Sequence, residues 1–252
     1  MIFEVSVLDR RCIDKLVSQE VLAVRVSGFI PSSLALDIAG QLMDCGLCEQ
    51  KEDGEAVLPG FSFDKVHEQP ELIDRYFEQA PACIAALRRC CAPYLSPVDT
   101  LRCMLDETWP AGSHLQSMDG RKMLAGLPRI LKPDMCFLAR QDVLEPRRPR
   151  AQPMRQLACN IHLSVPENGG ELQIWQHLLG DEKFDALRDG SPGIDPILLG
   201  EPSVRLKPEP GELVIFDSRL LHAVSPGEGS PHMSLSLFIG YRGETLPLTC
   251  WS

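Results

Sequence analysis

Basic residues are in short supply. The chain carries 25 Lys and Arg against 35 Asp and Glu, a formal net charge of −10. Nucleic acids and anionic membrane surfaces reward clustered Lys and Arg, so this balance argues against both as partners. Long apolar runs are missing as well. No stretch approaches the roughly 18 consecutive apolar residues that a membrane span needs. The opening residues, "MIFEVSVLDRRCIDK", have acidic side chains within the first ten positions and no continuous apolar run, unlike a secretory signal. A cytoplasmic location follows by default. Internal repeats and low-complexity tracts are absent. Aromatics make up only 6% of the chain. In so acidic a protein, Trp109, Trp175 and Trp251 read as core or rim residues rather than a platform for stacked bases.

Cysteine is not scarce, with ten residues, but the patterns that would make cysteine sites are. The pair Cys45 and Cys48 lacks a second CxxC for zinc and a flanking βαβ unit for a thioredoxin-like centre. Cys83, Cys90, Cys91, Cys103 and Cys159 lie in apolar or helical contexts, where a free thiol behaves as a small hydrophobe. Reduced, mostly buried thiols are expected.

Periodicity divides the chain into two unequal kinds of sequence. "EVLAVRVSGFI" (20–30) reads as a strand. "PSSLALDIAGQLMDC" after it places Leu34, Ile38 and Leu42 at helical spacing behind candidate capping serines. Residues 70–94 are helical again, with Leu72, Ile73, Tyr76 and Phe77 on one face, then Ile84 and Leu87. Pro81 predicts a break into two helices. From about residue 125 the pattern changes to short apolar runs punctuated by Pro, Gly and Asp: "PRIL", "MCFLA", "LACNIHLSV", "ELQIW", "ELVIFD", "LLHAV" and "MSLSLFIGY". Short strands after a mainly helical half predict an α+β fold, a barrel or sandwich with helices packed on one side. One domain is expected, with 1–124 as a mainly helical support and 125–252 as the strand core. The segment 176–203 reads as an insertion or surface loop, and "EPRRPRAQPMRQ" (145–156) as a solvated connector.

Two of these runs carry candidate chemistry. In "CNIHLSV", Asn160, His162 and Ser164 share one face, while Cys159, Ile161, Leu163 and Val165 share the other. A polar face in a β unit points either to solvent or into a barrel that holds something polar. His222 sits in the otherwise apolar "LLHAV"; a lone histidine among hydrophobes is ordinarily a hydrogen-bonded core residue. His67, His114 and His177 read as surface or loop residues, with a loop lining a pocket mouth the alternative for His114.

Taken together, "AGLPRIL", "RQDVLEP", "QLACNIHLSVPENGGELQIW", "PGELVIFDSRLLHAVSP" and "MSLSLFIGY" resemble bacterial 2-oxoglutarate/Fe(II) oxygenases. The likeness is to the small single-domain branch that tailors amino acids and natural products. It covers 125–252 well and the first half more loosely, through "VRVSGFIP" and "YFEQA". It implies a double-stranded β-helix (jelly-roll, cupin-like) core with N-terminal helices packed on one side. The implied activity is that of a non-heme iron oxidoreductase acting on a small molecule such as an amino acid or natural-product intermediate. A homo- or hetero-dimer is left open.

That family holds Fe(II) with a His-x-Asp/Glu pair and a distant second histidine, leaving three sites for co-substrate and oxygen. An Arg or Lys further along pairs with the distal carboxylate of 2-oxoglutarate. Carried over residue by residue, the second histidine falls on His222 and the carboxylate on Asp142, which become the metal-ligand candidates. Arg140 stands where the first histidine belongs, and a guanidinium cannot ligate a metal. The co-substrate arginine falls on His232, with Ser234 as its companion serine; together with Asn160 these are the co-substrate candidates. His162, and after it His232, are the choices for a third donor. Arg140 is then placed to hold a carboxylate, and Arg140 and His162 are the catalytic candidates. Fe(II) is implied, while 2-oxoglutarate is doubtful because its arginine is replaced. Two other readings stay open: a non-redox enzyme or small-molecule binder on the same fold, and a non-catalytic partner of an active homologue.

Overall fold

The computed structural model describes residues 1–45, 49–50, 55–57, 63, 66, 69–142 and 155–252. The strands that build the site are β1 (Ile2–Val5), β2 (Ala23–Val26), β3 (Leu127–Leu131), β4 (Phe137–Arg140), β5 (Arg155–Ser164), β6 (Leu172–Trp175), β7 (Val204–Leu206), β8 (Leu213–Asp217), β9 (Leu221–Val224), β10 (His232–Tyr241) and β11 (Leu248–Trp251). The helices are α1 (Arg10–Val17), α2 (Ser32–Asp44), α3 (Ile73–Cys91), α4 (Pro97–Thr108) and α5 (Asp181–Arg188).

The architecture is mixed α/β around one large sheet. That sheet runs β1-β2-β8-β5-β10-β3, and β11 pairs onto β10. From β2 to β3 every neighbour is antiparallel; β1 and β2 are parallel. A smaller antiparallel sheet runs β7-β6-β9-β4. The two N-terminal strands therefore extend the large sheet.

Strict alternation on the long strands decides which face meets what. On β5, Leu157, Cys159, Ile161 and Leu163 are fully buried against the helices; on β10, Met233, Leu235, Leu237 and Ile239 do the same. The helices answer with Ile13 and Leu16 of α1, Ile38 and Leu42 of α2, and Leu101 and Leu105 of α4. The opposite face of the large sheet meets the small sheet. Ala158, Val214, Phe216 and Phe238 pack there with Leu172, Ile174, Val204 and Leu206. Helices thus cover one face and the small sheet the other, leaving a polar strip between the sheets where Asn160, His162, Ser234 and Ser236 project.

One buried ion pair ties the N-terminal strands to this sheet. Arg25 Nε lies 2.9 Å from both carboxylate oxygens of Glu212, which also accepts from Ser27 Oγ and the Glu209 N–H. Glu212 is only 4% exposed. Replacing it by Gln leaves the guanidinium partly buried against a neutral group. Glu212→Gln is expected to cost about 2 kcal/mol of stability, read from the urea midpoint at constant slope.

Three local expectations change. Pro81 lies inside α3 without dividing it. The proline is on the exposed side, and buried residues before it (Tyr76, Phe77, Ala80) and after it (Ala86, Leu87, Cys91) hold both halves on one axis. The segment 176–203 is not simply loop: it contains α5 and a 3₁₀ turn, Pro196–Leu199, started by Asp195 accepting from the Ile197 N–H. Phe184 and Leu187 of α5 pack on the small cluster around Trp175 and Leu221. The thiols are less uniformly buried than expected. Cys12, Cys91, Cys159 and Cys250 are buried, but Cys83 and Cys90 are half-buried and Cys103 is exposed on α4. The described cysteines are thiols rather than disulfides. Trp109, Trp175 and Trp251 are core residues, His114 is exposed on a short strand and His177 is exposed after β6. Cys48, His67 and residues 145–154 of the Pro/Arg-rich stretch lie outside the described residues; the last two of that stretch, Arg155 and Gln156, begin β5 rather than a solvated connector. No described helix is long and apolar enough to cross a membrane.

Candidate functional site

The cavity between the sheets gathers side chains from β3, β4, β5, β9 and β10. Its polar lining includes Arg129, Arg140, Asp142, Asn160, His162, His222, His232, Ser234 and Ser236, set among Leu127, Phe137, Phe216 and Phe238. Every candidate site residue of the sequence analysis therefore lines one cavity. Within it they form two groups.

The first group is Asp142 with His222 and Arg140. Arg140 ends β4 directly opposite His222 on β9. Asp142 follows two residues later and is fixed through its backbone: its N–H donates to Ser218 O, and its carbonyl accepts from Gln156 Nε2 and Ser218 Oγ. Its carboxylate then reaches both partners, with Oδ1 3.2 Å from Arg140 Nε and Oδ2 3.4 Å from His222 Nε2. Burial alone would push this carboxyl up. The Arg140 guanidinium, the contact with His222 and the charge of Arg129 outweigh burial and hold it well below the usual carboxylate range.

The orientation of His222 carries chemical information. Its Nδ1 lies 2.9 Å from Leu220 O, an acceptor only, so Nδ1 bears the proton. In the neutral ring, Nε2 then presents a lone pair to a carboxylate oxygen at 3.4 Å. Two acceptors face each other, an arrangement satisfied by an imidazolium or by a cation shared between them. Metal-ligating histidines show this pattern, with the far nitrogen donating to a carbonyl and so fixing the tautomer. Phe216 packs edge-on against the ring, centroids 4.9 Å apart, and holds its plane.

The donor set fits a metal through these two groups and stops there. Among the described residues no cluster of three or more His, Cys, Asp or Glu side chains is arranged to hold an ion. The expectation that His162 or His232 supplies a third donor is therefore not met, and the third corner is the Arg140 guanidinium.

The second group is the histidine pair on the floor. His162 Nδ1 and His232 Nε2 are 2.9 Å apart, on adjacent strands β5 and β10. Their outer nitrogens, His162 Nε2 and His232 Nδ1, are buried and meet no hydrogen-bond partner among the described residues. Burial, then the neighbouring His232 and the charge of Arg25, pushes His162 well below the ordinary histidine range. Burial and nearby Lys207 push His232 down to about 4. Both rings are neutral at pH 7. Beside them Ser236 Oγ donates to Asn160 Oδ1 at 2.7 Å and lies 3.4 Å from Ser234 Oγ. Ser164 leaves this row: the register shifts after His162, and Ser164 Oγ donates to Pro231 O.

Arg129 is, with Ser236, a polar cavity residue that the sequence reading missed. Its signal was present in "LPRIL", where the inward face of a strand alternates Leu127, Arg129, Leu131 and so carries one charge between two leucines.

No protein-family model matches the chain. Among curated proteins it is similar to L-gamma-glutamyl-L-propargylglycine hydroxylase of Streptantibioticus cattleyicolor, 29% identical over 196 residues that cover 73% of this chain and 69% of the relative. Its fold is similar to that of an N-substituted L-amino acid dioxygenase from Burkholderia ambifaria solved in complex with alpha-KG (2-oxoglutarate). The TM-score is 0.65 at 16% identity, covering 96% of this chain and 90% of that one. It is similar also to HygX from Streptomyces hygroscopicus with nickel and 2-oxoglutarate bound, with a TM-score of 0.56 at 12% identity, covering 93% and 88%. The likeness seen in the sequence motifs is thus found again across the whole fold. These neighbours lend no support to the doubt about 2-oxoglutarate.

Proposed function

We propose that this chain, similar in sequence and in fold to the 2-oxoglutarate-dependent oxygenases, is an atypical non-heme iron oxidoreductase acting on a small molecule. The carrying observation is the Asp142–His222 pair, a carboxylate and an imidazole lone pair converging on one point inside the cavity. Asp142 and His222 are the residues that would hold the metal, which when bound supplies redox chemistry with dioxygen. The rest of the work falls to the chain itself. Leu220 O fixes the tautomer of His222, and Ser218 with Gln156 fixes the backbone of Asp142. Phe137, Phe216 and Phe238 keep the cavity wall apolar, which limits water around the reacting atoms. Arg140 occupies the third corner, where its guanidinium orients Oδ1 of Asp142 and brings a positive charge to the cavity.

In this reading the two sheets are the halves of a double-stranded β-helix within one domain. The substrate is a small molecule such as an amino acid or natural-product intermediate; the similar proteins are named for a gamma-glutamyl amino acid and for N-substituted L-amino acids. It is the partner in view, with no nucleic acid or membrane. Arg140 also favours a second reading, a metal-free pocket that binds an anion or does acid–base work, because its guanidinium already neutralises Asp142 as a metal ion would.

Anaerobic titration with Fe(II) and then 2-oxoglutarate separates the two. The oxygenase reading expects bound iron by metal analysis and the weak visible band of a chelated 2-oxo acid. Full occupancy by small anions with no iron uptake would leave only the second reading.

A further inference from the structure

Two half-buried thiols meet on the helical side of the molecule, outside the cavity. Cys45 caps the C-terminal end of α2, and Cys90 lies in the last turn of α3. Both pack against the core that the helices share with the large sheet. They also line one surface cavity with Gln41, Asp44, Ala86 and Arg89, so a small reagent reaches them together. The Cys90 thiol is in hydrogen-bonding contact with Cys45. Cys45 in turn donates to Leu42 O at 3.1 Å, and the two thiols form a short chain that ends on the last turn of α2.

Thiols are weak donors and weak acceptors, so these contacts do little for the helix pair. What two adjacent thiols add is a covalent bond whose formation depends on the redox poise of the surroundings. The two sulfurs are not equivalent. Burial, then the neighbouring Cys45, pushes the Cys90 thiol up, and the charge of Arg89 offsets this only in part. Cys90 therefore keeps its proton, and Cys45 is the sulfur placed to attack first.

We propose that Cys45 and Cys90 form a thiol–disulfide exchange site that takes a low-molecular-weight disulfide and closes to a Cys45–Cys90 bridge. Cys45 gives up its proton, attacks one sulfur of the reagent and releases the other as a thiol that takes up that proton. Cys90 then attacks the Cys45 sulfur of the mixed disulfide, and the second small thiol leaves with the Cys90 proton. Two protein thiols are oxidised, and one small disulfide is reduced to two thiols. The bridge closes residues 45–90 into one covalent loop, which restricts the unfolded chain and ties the end of α2 to the end of α3. Because α2 packs on the face of β5 that turns away from the cavity, the site is independent of the cavity's chemistry.

The test incubates the full chain, fully reduced, with oxidised glutathione, blocks the remaining thiols and maps the linked peptides by mass spectrometry. A Cys45–Cys90 link that dithiothreitol removes is expected. In urea the bridged protein is expected to unfold with an equilibrium constant at least about 30-fold smaller than that of the reduced protein. Cys90→Ser is expected to stop at a glutathione adduct on Cys45, with no bridge and no gain in stability. Cys90→Ala makes the same test if the serine variant does not fold. A wild-type protein that stops at the adduct, links Cys45 to Cys48 or Cys91, or gains no stability on bridging overturns the proposal. So does a stability gain that survives in the Cys90 variants.

Discussion

Replacing Arg140 by histidine is expected to raise the affinity of the protein for Fe(II) by at least about 100-fold. Outer-shell partners of metal ligands are typically worth 10–100-fold, and this change adds a direct donor. It also removes the cation that competes for Asp142. In the wild-type site the guanidinium holds Oδ1 at 3.2 Å, so an incoming metal must displace it or share the carboxylate with it. A histidine at the end of β4 lies directly opposite His222 in the strand pairing and two residues from Asp142. That spacing puts the residues at 140 and 142 on one side of an extended chain. Anaerobic Fe(II) titration of the wild-type protein, Arg140→His and Arg140→Gln separates the two contributions. The Gln variant removes the competing charge without adding a donor and is expected to gain much less than the His variant. Equal affinity in all three proteins would mean that Arg140 does not limit the site.

The comparison between Arg140 and Arg129 explains what the sequence made legible. Strand positions after residue 125 were legible because alternation on β5 and β10 is nearly unbroken, with one face greasy enough to take the helices. The convergence of Asp142 and His222 was visible only through the resemblance. Asp142 follows β4 and His222 lies on β9, 80 residues apart, and no spacing rule joins them. The role of Pro81 went the other way, since a local rule predicted a break that packing on both sides of the residue overrode. Arg129 was passed over because a single charge in a short apolar run is ordinarily solvent-facing. Its inward direction depends on β3 pairing with β10, a long-range register that composition does not reveal. The His162–His232 contact has the same origin: 70 residues separate the two rings, and only the register of β5 on β10 brings their nitrogens to 2.9 Å.

That contact leads to the second large expected effect, a steep loss of stability on mild acidification. Burial and Lys207 hold His232 down to about 4 in the folded chain, against about 6.5 for an ordinary histidine. His162 is displaced in the same direction by burial and its neighbours. Between about pH 6.5 and pH 4 the unfolded chain therefore binds protons that the folded chain refuses. More protons bound in the unfolded state means that stability rises with pH across this window, so it is fully present near neutrality and drains away as the pH falls. For His232 alone the loss by pH 4 is on the order of 3 kcal/mol, a large part of the margin of a typical domain. Acidic groups elsewhere also change stability in this range, so the informative quantity is a difference. The double variant His162→Leu/His232→Leu removes both imidazoles and fills their space with apolar side chains. Removing both partners of a buried hydrogen bond is far less costly than removing one. Urea unfolding at pH 7 and pH 4.5 is expected to show the wild-type protein losing roughly 2–3 kcal/mol more than the double variant between those two values. If both proteins lose the same amount, the pair is already open to solvent or charged at neutral pH.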